Sequence, residues 1–204
     1  CEGCFCLRKG SSKVRRKAVA HLAGHIYHVY NRGCNRERIF VSDDNYRYLL
    51  KQVKRFLPAS AVSIIAYCLM PNHYHFLLRS DSDSAVGRFI QRLFNGYTQA
   101  FNRQQGRSGT LFEGRAKSIE VADDQYTVYL CRYIHLNPVV AGLVKQPEDW
   151  PYSNYLEWIG QRPGTLIDRD FVRFYYPEPA EYEAFICSSI DEAIAAKLEK
   201  YYTD

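Results

Sequence analysis

Apolar positions recur along this chain with two different periods, and the switches between them predict its elements. Residues 25–30 are aromatic and β-branched and read as a first strand, closed by Asn31-Arg32-Gly33. Ser42-Asp43-Asp44 supplies a helix cap with first-turn acids. Tyr46, Leu49, Leu50, Val53, Phe56 and Leu57 then follow at helical spacing as far as Pro58. A second strand is expected over 62–69, a turn at Met70-Pro71-Asn72, and a third strand from His73 that pairs back as a hairpin. Asp81-Ser82-Asp83-Ser84 reads as the cap of a second helix running to Arg103, with Val86, Phe89, Ile90, Leu93, Phe94, Tyr97 and Phe101 as its apolar stripe. A polar loop at 104–109, a strand-like 116–121 and a helix from Asp123 complete the series.

Strand, helix, strand, strand, helix, strand is the order of a ferredoxin-like βαββαβ unit. The expected fold is therefore an α+β sandwich: an antiparallel sheet, helices on one face, and a last helix left to cover the functional side. The 204 residues suit one such domain with appendages. We divide the chain into a basic flexible arm (1–22), the α+β domain (23–145) and a tail (146–204). The tail carries Phe171, Phe174, Tyr175, Tyr182 and Phe185 in one or two acidic helices, either a packed cover or a regulatory lid.

The chemistry concentrates in two stretches. Side chains alternate faces along a strand, so His73 and His75 point the same way with Tyr74 on the reverse. Two imidazoles in that relation can chelate one divalent ion, although two histidines on a half-exposed sheet face make the same pattern. Tyr133 and Asn137 lie four apart on the predicted last helix and share a face. Tyr133 offers a phenol nucleophile and Asn137 a carbonyl ligand. Pro138 disfavours helical geometry at Asn137, so the helix is expected to end or kink there. Tyr97 is the rival nucleophile. Its nearest amide, Asn102, lies five residues on and off its face, which makes Tyr97 a core residue instead.

These residues, in this order, resemble the single-tyrosine HUH transposases, most closely the REP-associated tyrosine transposases. The resemblance runs over about residues 25–160. It rests on His25-Ile26-Tyr27-His28-Val29-Tyr30-Asn31-Arg32-Gly33, Met70-Pro71-Asn72-His73-Tyr74-His75, Gly109-Thr110-Leu111-Phe112-Glu113-Gly114-Arg115 and Tyr133-Ile134-His135-Leu136-Asn137-Pro138-Val139. Tyr74 is more polar than the usual aliphatic residue between the histidines. The resemblance implies the same fold, one Mg²⁺ or Mn²⁺ held by His73, His75 and Asn137, and catalysis by Tyr133, His73 and His75. It also implies a single-stranded DNA substrate beside a REP-type hairpin, in a bacterial cytoplasmic, nucleoid-associated protein working as a monomer or homodimer. A hairpin-binding protein that has lost catalysis is the alternative.

Charge agrees with a nucleic-acid partner. The net charge of +5 is uneven: residues 1–40 carry nine Lys/Arg and two Asp/Glu, residues 88–117 six and one, and residues 145–204 six and twelve. The first two segments can hold a phosphate backbone and the last cannot. Arg15, Arg16 and Lys17 in the arm, Asn31, Arg32 and Arg36 after the first strand, and Arg107 and Arg115 near the second basic segment are the expected DNA contacts, with Tyr27 and Tyr30 as stacking partners for unpaired bases. No run of about 18 apolar residues predicts a membrane helix, and residues 1–6 lack the apolar core of a signal peptide. The seven cysteines read mainly as reduced thiols, two of them, Cys68 and Cys131, in apolar patterns. Cys1, Cys4 and Cys6 have no second pair at zinc-finger spacing.

Overall fold

In the computed structural model, which describes residues 20–189 and residue 196, the strands are β1 (Ile26–Arg32), β2 (Val62–Leu69), β3 (His73–Ser80) and β4 (Lys117–Val121). They form one antiparallel sheet in the order β2-β3-β1-β4, the arrangement of a ferredoxin-like unit. Helices α1 (Asp43–Phe56) and α2 (Ala85–Gln104) cover one face. Helix α3 (Asp124–Val140) covers the other.

Strand alternation builds the two cores. Tyr27, Val29, Phe76 and Leu78 face α1 and α2, where they meet Leu49, Val53, Leu93 and Phe94. Leu77 and Val121 face α3 and pack with Leu130, Cys131 and Ile134. A register shift at Ile64/Ala66 turns Ile65 and Ala66 to the α3 side and Tyr67 back to the α1/α2 side. Tyr74 lies in the α1/α2 core, stacked 3.9 Å from Phe94, so the polar residue between the histidines is accommodated away from them. Tyr97 is buried and donates to the carbonyl of Ile39 at 2.5 Å, a core role as expected.

Three sequence expectations are corrected. β1 does not end at Tyr30: Asn31 and Arg32 still pair with Tyr74 and His73. α3 does not end or kink at Asn137 but runs through Pro138 to Val140. Pro138 stands in the last turn, where Leu143 N–H reaches the Pro138 carbonyl and Gly142 N–H the Val139 carbonyl, both at 2.9 Å. Gly142, at φ 68°, supplies the left-handed residue this closure needs. The acidic run before α2 does not cap it by a side chain. Asp83 instead accepts the Ala23 N–H at 2.9 Å and ties down the approach to β1.

The segment after α3 wraps the edge at β2: Tyr152 stacks on Tyr46 of α1 at 3.8 Å, and the rest packs mainly on the α3 side of the sheet. It contains α4 (Tyr155–Trp158), α5 (Arg169–Tyr175) and α6 (Pro179–Cys187). Asn154 acts as a surrogate strand for the irregular part of β2: its Oδ1 accepts Tyr67 N–H at 2.7 Å and its Nδ2 donates to the Ile65 carbonyl at 3.0 Å. His135 of α3 also reaches Asn154 Oδ1, at 3.0 Å, and holds the Tyr182 hydroxyl of α6 at 2.6 Å. Cys68 and Cys131 are buried free thiols, pushed well up by desolvation. Cys1, Cys4 and Cys6 lie outside the described residues. No helix among the described residues is long and apolar enough to cross a membrane.

Candidate active site

β3 begins at His73, and strand geometry turns His73 and His75 together toward α3. α3 brings Tyr133 and Asn137 down on them. The Nε2 of His73 lies 3.1 Å from Asn137 Oδ1, and the Nε2 of His75 lies 3.5 Å from Asn137 Nδ2. The Tyr133 ring stands edge-on to His75, centroids 5.5 Å apart.

The outward ring nitrogens are held from behind. Asn72 directs its NH₂ to the Arg36 carbonyl at 3.4 Å, which leaves its Oδ1 facing His73 Nδ1 at 2.8 Å. Protonated on Nδ1, His73 would donate to Asn72 and turn its Nε2 lone pair toward Asn137. His75 Nδ1 lies 3.0 Å from Nε2 of a third histidine, His28 on β1. Burial lowers His28 to about 3, and burial followed by the neighbouring His28 and His73 lowers His75 well below the usual imidazole value. Both are neutral rings near pH 7, the form that ligates a metal.

This donor set fits a divalent ion. The Nε2 of His73 and the amide oxygen of Asn137 face each other at 3.1 Å. Two ligands at right angles on bonds of roughly 2.1 Å stand about 3 Å apart, so a cation satisfies both lone pairs at this spacing. Among the described residues no three His, Cys, Asp or Glu side chains form a metal-binding cluster. Two imidazoles and one amide are what the site offers, and they leave coordination positions open to a substrate.

The sequence model of the family described as transposase, IS200-like, matches residues 21–137, more than half the chain and the whole of this constellation. The chain belongs to the IS200-like transposase family. A curated Haemophilus influenzae protein named as a candidate REP-associated tyrosine transposase is 27% identical over 133 residues, covering 59% of this chain and 74% of that protein. A solved REP-associated tyrosine transposase bound to a REP hairpin superposes with a TM-score of 0.52 at 22% identity, covering 77% of this chain and 94% of that one, a likeness of fold.

The other residues singled out in this transposase have diverse positions. Arg15, Arg16 and Lys17 lie outside the described residues. Arg36 and Arg115 are exposed. Arg107 is partly engaged, 3.9 Å from Glu37 and bonded to the Thr110 carbonyl at 3.3 Å. Arg32 pairs with Glu113 at 2.7 Å. Asn31 is buried; its Nδ2 donates to the Gly114 carbonyl at 2.9 Å and its Oδ1 accepts Arg32 N–H at 3.0 Å, so the side chain builds the loop. Tyr27 is fully buried against α2 and has no ring face to offer a base. Tyr30 is on the site side of β1, stacked on His28 at 4.9 Å.

His28 is the residue that sequence reasoning passed over. It stands in phase with Tyr30 on β1, a signal visible in the alternation, but only the pairing of β1 with β3 brings it behind His75.

Proposed function

We propose that this transposase-family chain is a metal-dependent single-stranded DNA endonuclease and strand transferase that acts beside REP-type hairpins through a 5′-phosphotyrosine on Tyr133. The observation that carries the reading is the convergence of His73, His75, Asn137 and Tyr133 within one chain. His73, His75 and Asn137 would hold one Mg²⁺ or Mn²⁺, which when bound polarises a scissile phosphate and offsets the charge that develops on it.

The chain's own residues supply the rest. Tyr133 gives its phenol oxygen to the phosphorus while the bond to the 3′-oxygen breaks. The phenolic proton is released and the departing 3′-oxygen ends as a hydroxyl. A phenolate is a better leaving group than an alkoxide, so the phosphotyrosine keeps the bond energy and a second 3′-hydroxyl can reverse the step on another strand. The buried β1/β3 face behind His75 keeps that ring neutral and fixed.

A labelled hairpin with a single-stranded flank, incubated with Mn²⁺ or Mg²⁺ and run on a denaturing gel, tests this. A protein-linked band is expected, abolished by EDTA and by Tyr133→Phe. A gel shift without any linked band on several hairpins would leave the non-catalytic hairpin-binding reading in place.

A further inference from the structure

A cavity of about 150 Å³ opens beside the histidines, between the end of β1 and the start of β4. Its lining includes Tyr30, Arg32, Glu113, Arg115 and Lys117. Tyr30 connects it to the site: its ring is stacked on His28 at 4.9 Å and lies 6.2 Å from that of His75, while Lys117 Nζ stands 5.4 Å above it. A strand whose phosphate reached His73 and His75 would pass its neighbouring nucleotide over this opening.

The cavity wall is built. The 112–114 loop extends β1 as a ladder: Gly33 bridges Phe112, Glu113 N–H donates to the Arg32 carbonyl at 3.1 Å, and Asn31 Nδ2 donates to the Gly114 carbonyl at 2.9 Å. This fixes the Glu113 carboxylate on Arg32 Nε at 2.7 Å. Among the described residues Glu113 takes the Nε–H of Arg32, and the terminal NH₂ groups are donors next to a carboxylate acceptor.

A carboxylate repels phosphate, so this pair is not a backbone clamp. It presents a donor edge beside an acceptor edge, which is the complement of a base edge. Guanine carries an O6 acceptor next to N1–H and N2–H₂ donors on its Watson–Crick edge, and in an unpaired strand that edge is free. Resting on the single-strand reading above, we propose that this cavity is a one-nucleotide subsite that reads an unpaired guanine next to the scissile phosphate. Arg32 serves O6, Glu113 serves N1–H and N2–H₂, and Lys117 and Arg115 at the rim take the flanking phosphate.

Fluorescence anisotropy tests it with hairpins whose single-stranded flank carries each of the four bases at each position in turn, on wild type, Glu113→Gln, Arg32→Lys and Lys117→Ala. Wild type should prefer guanine at one flank position, and Glu113→Gln and Arg32→Lys should each reduce that preference on the order of tenfold. Lys117→Ala should weaken binding of all flanks alike and reduce the salt slope by roughly 0.7. Thermal melts identify any variant that fails to fold; Lys117 is exposed, so its arm stands even if the Glu113 variant is lost. Equal base preference in wild type and both wall variants, or a Lys117→Ala salt slope equal to wild type, overturns the subsite. Because anisotropy needs no cleavage, absence of a covalent adduct would defeat the transferase reading while leaving this result legible.

Discussion

His28 and His75 are coupled ring to ring: Nε2 of the first lies 3.0 Å from Nδ1 of the second, with the ring planes 8° apart. His28 thus stands behind a proposed metal ligand and fixes which of its nitrogens would face an ion. His28→Phe keeps a flat ring but removes the bond. It should raise the Mn²⁺ concentration that half-saturates adduct formation by about 10- to 100-fold, with much of the rate recovered at high metal. An unchanged metal titration would reduce His28 to packing.

Tyr133 and Asn137 sit four residues apart on α3, over the histidines of the same chain. The expectation to test is cleavage in cis. A His73→Ala protein mixed with a Tyr133→Phe protein should give no more adduct than either alone. Recovery of adduct in the mixture would mean that the tyrosine helix is exchanged between two copies.

Gly33 ends β1 at a close approach. A Cβ there would lie 2.0 Å from the Glu37 carbonyl oxygen. Its own N–H donates to the Asn72 carbonyl at 2.7 Å, one residue before His73. Gly33→Ala must therefore push the 34–38 loop away from the start of β3. A loss of about 1–3 kcal/mol is expected in denaturant unfolding, with weaker adduct formation. A variant as stable and active as wild type would show that the loop yields freely.

Asn154 is fully buried and satisfies three partners on two elements. Asn154→Ala strands the Tyr67 N–H in β2 and the His135 ring nitrogen in α3. The expected cost is about 2–4 kcal/mol, or a melting temperature lowered on the order of 10 °C. A change within a degree or two would mean that water or a shifted tail replaces the amide.

Much of the fold was legible in the sequence because α1 and α2 carry clear helical stripes and the strands are bounded by turn residues. The βαββαβ order followed from that, and the alternation around Tyr74 put His73 and His75 on one face. The spacing of Tyr133 and Asn137 put them on one face of a helix whatever Pro138 did. What stayed hidden is non-local. His28 gains its partner only through the strand order, and Asn154 completes β2 from 87 residues away by imitating a backbone. An aromatic in a strand looks alike on either face, so the sequence alone makes Tyr27 a candidate stacking residue. The register, set by Tyr27 opposite Leu78, buries it. Pro138 taken alone predicts a helix end at Asn137; the closure at Gly142, four residues later, lets α3 run through it.

The most direct measurement is mass spectrometry of the DNA-linked peptide after nuclease and protease digestion of the trapped adduct. The modified residue should be Tyr133. A nucleotide on Tyr97 or on any other side chain, with Tyr133 unmodified, would contradict the assignment of the nucleophile and of the site built around it.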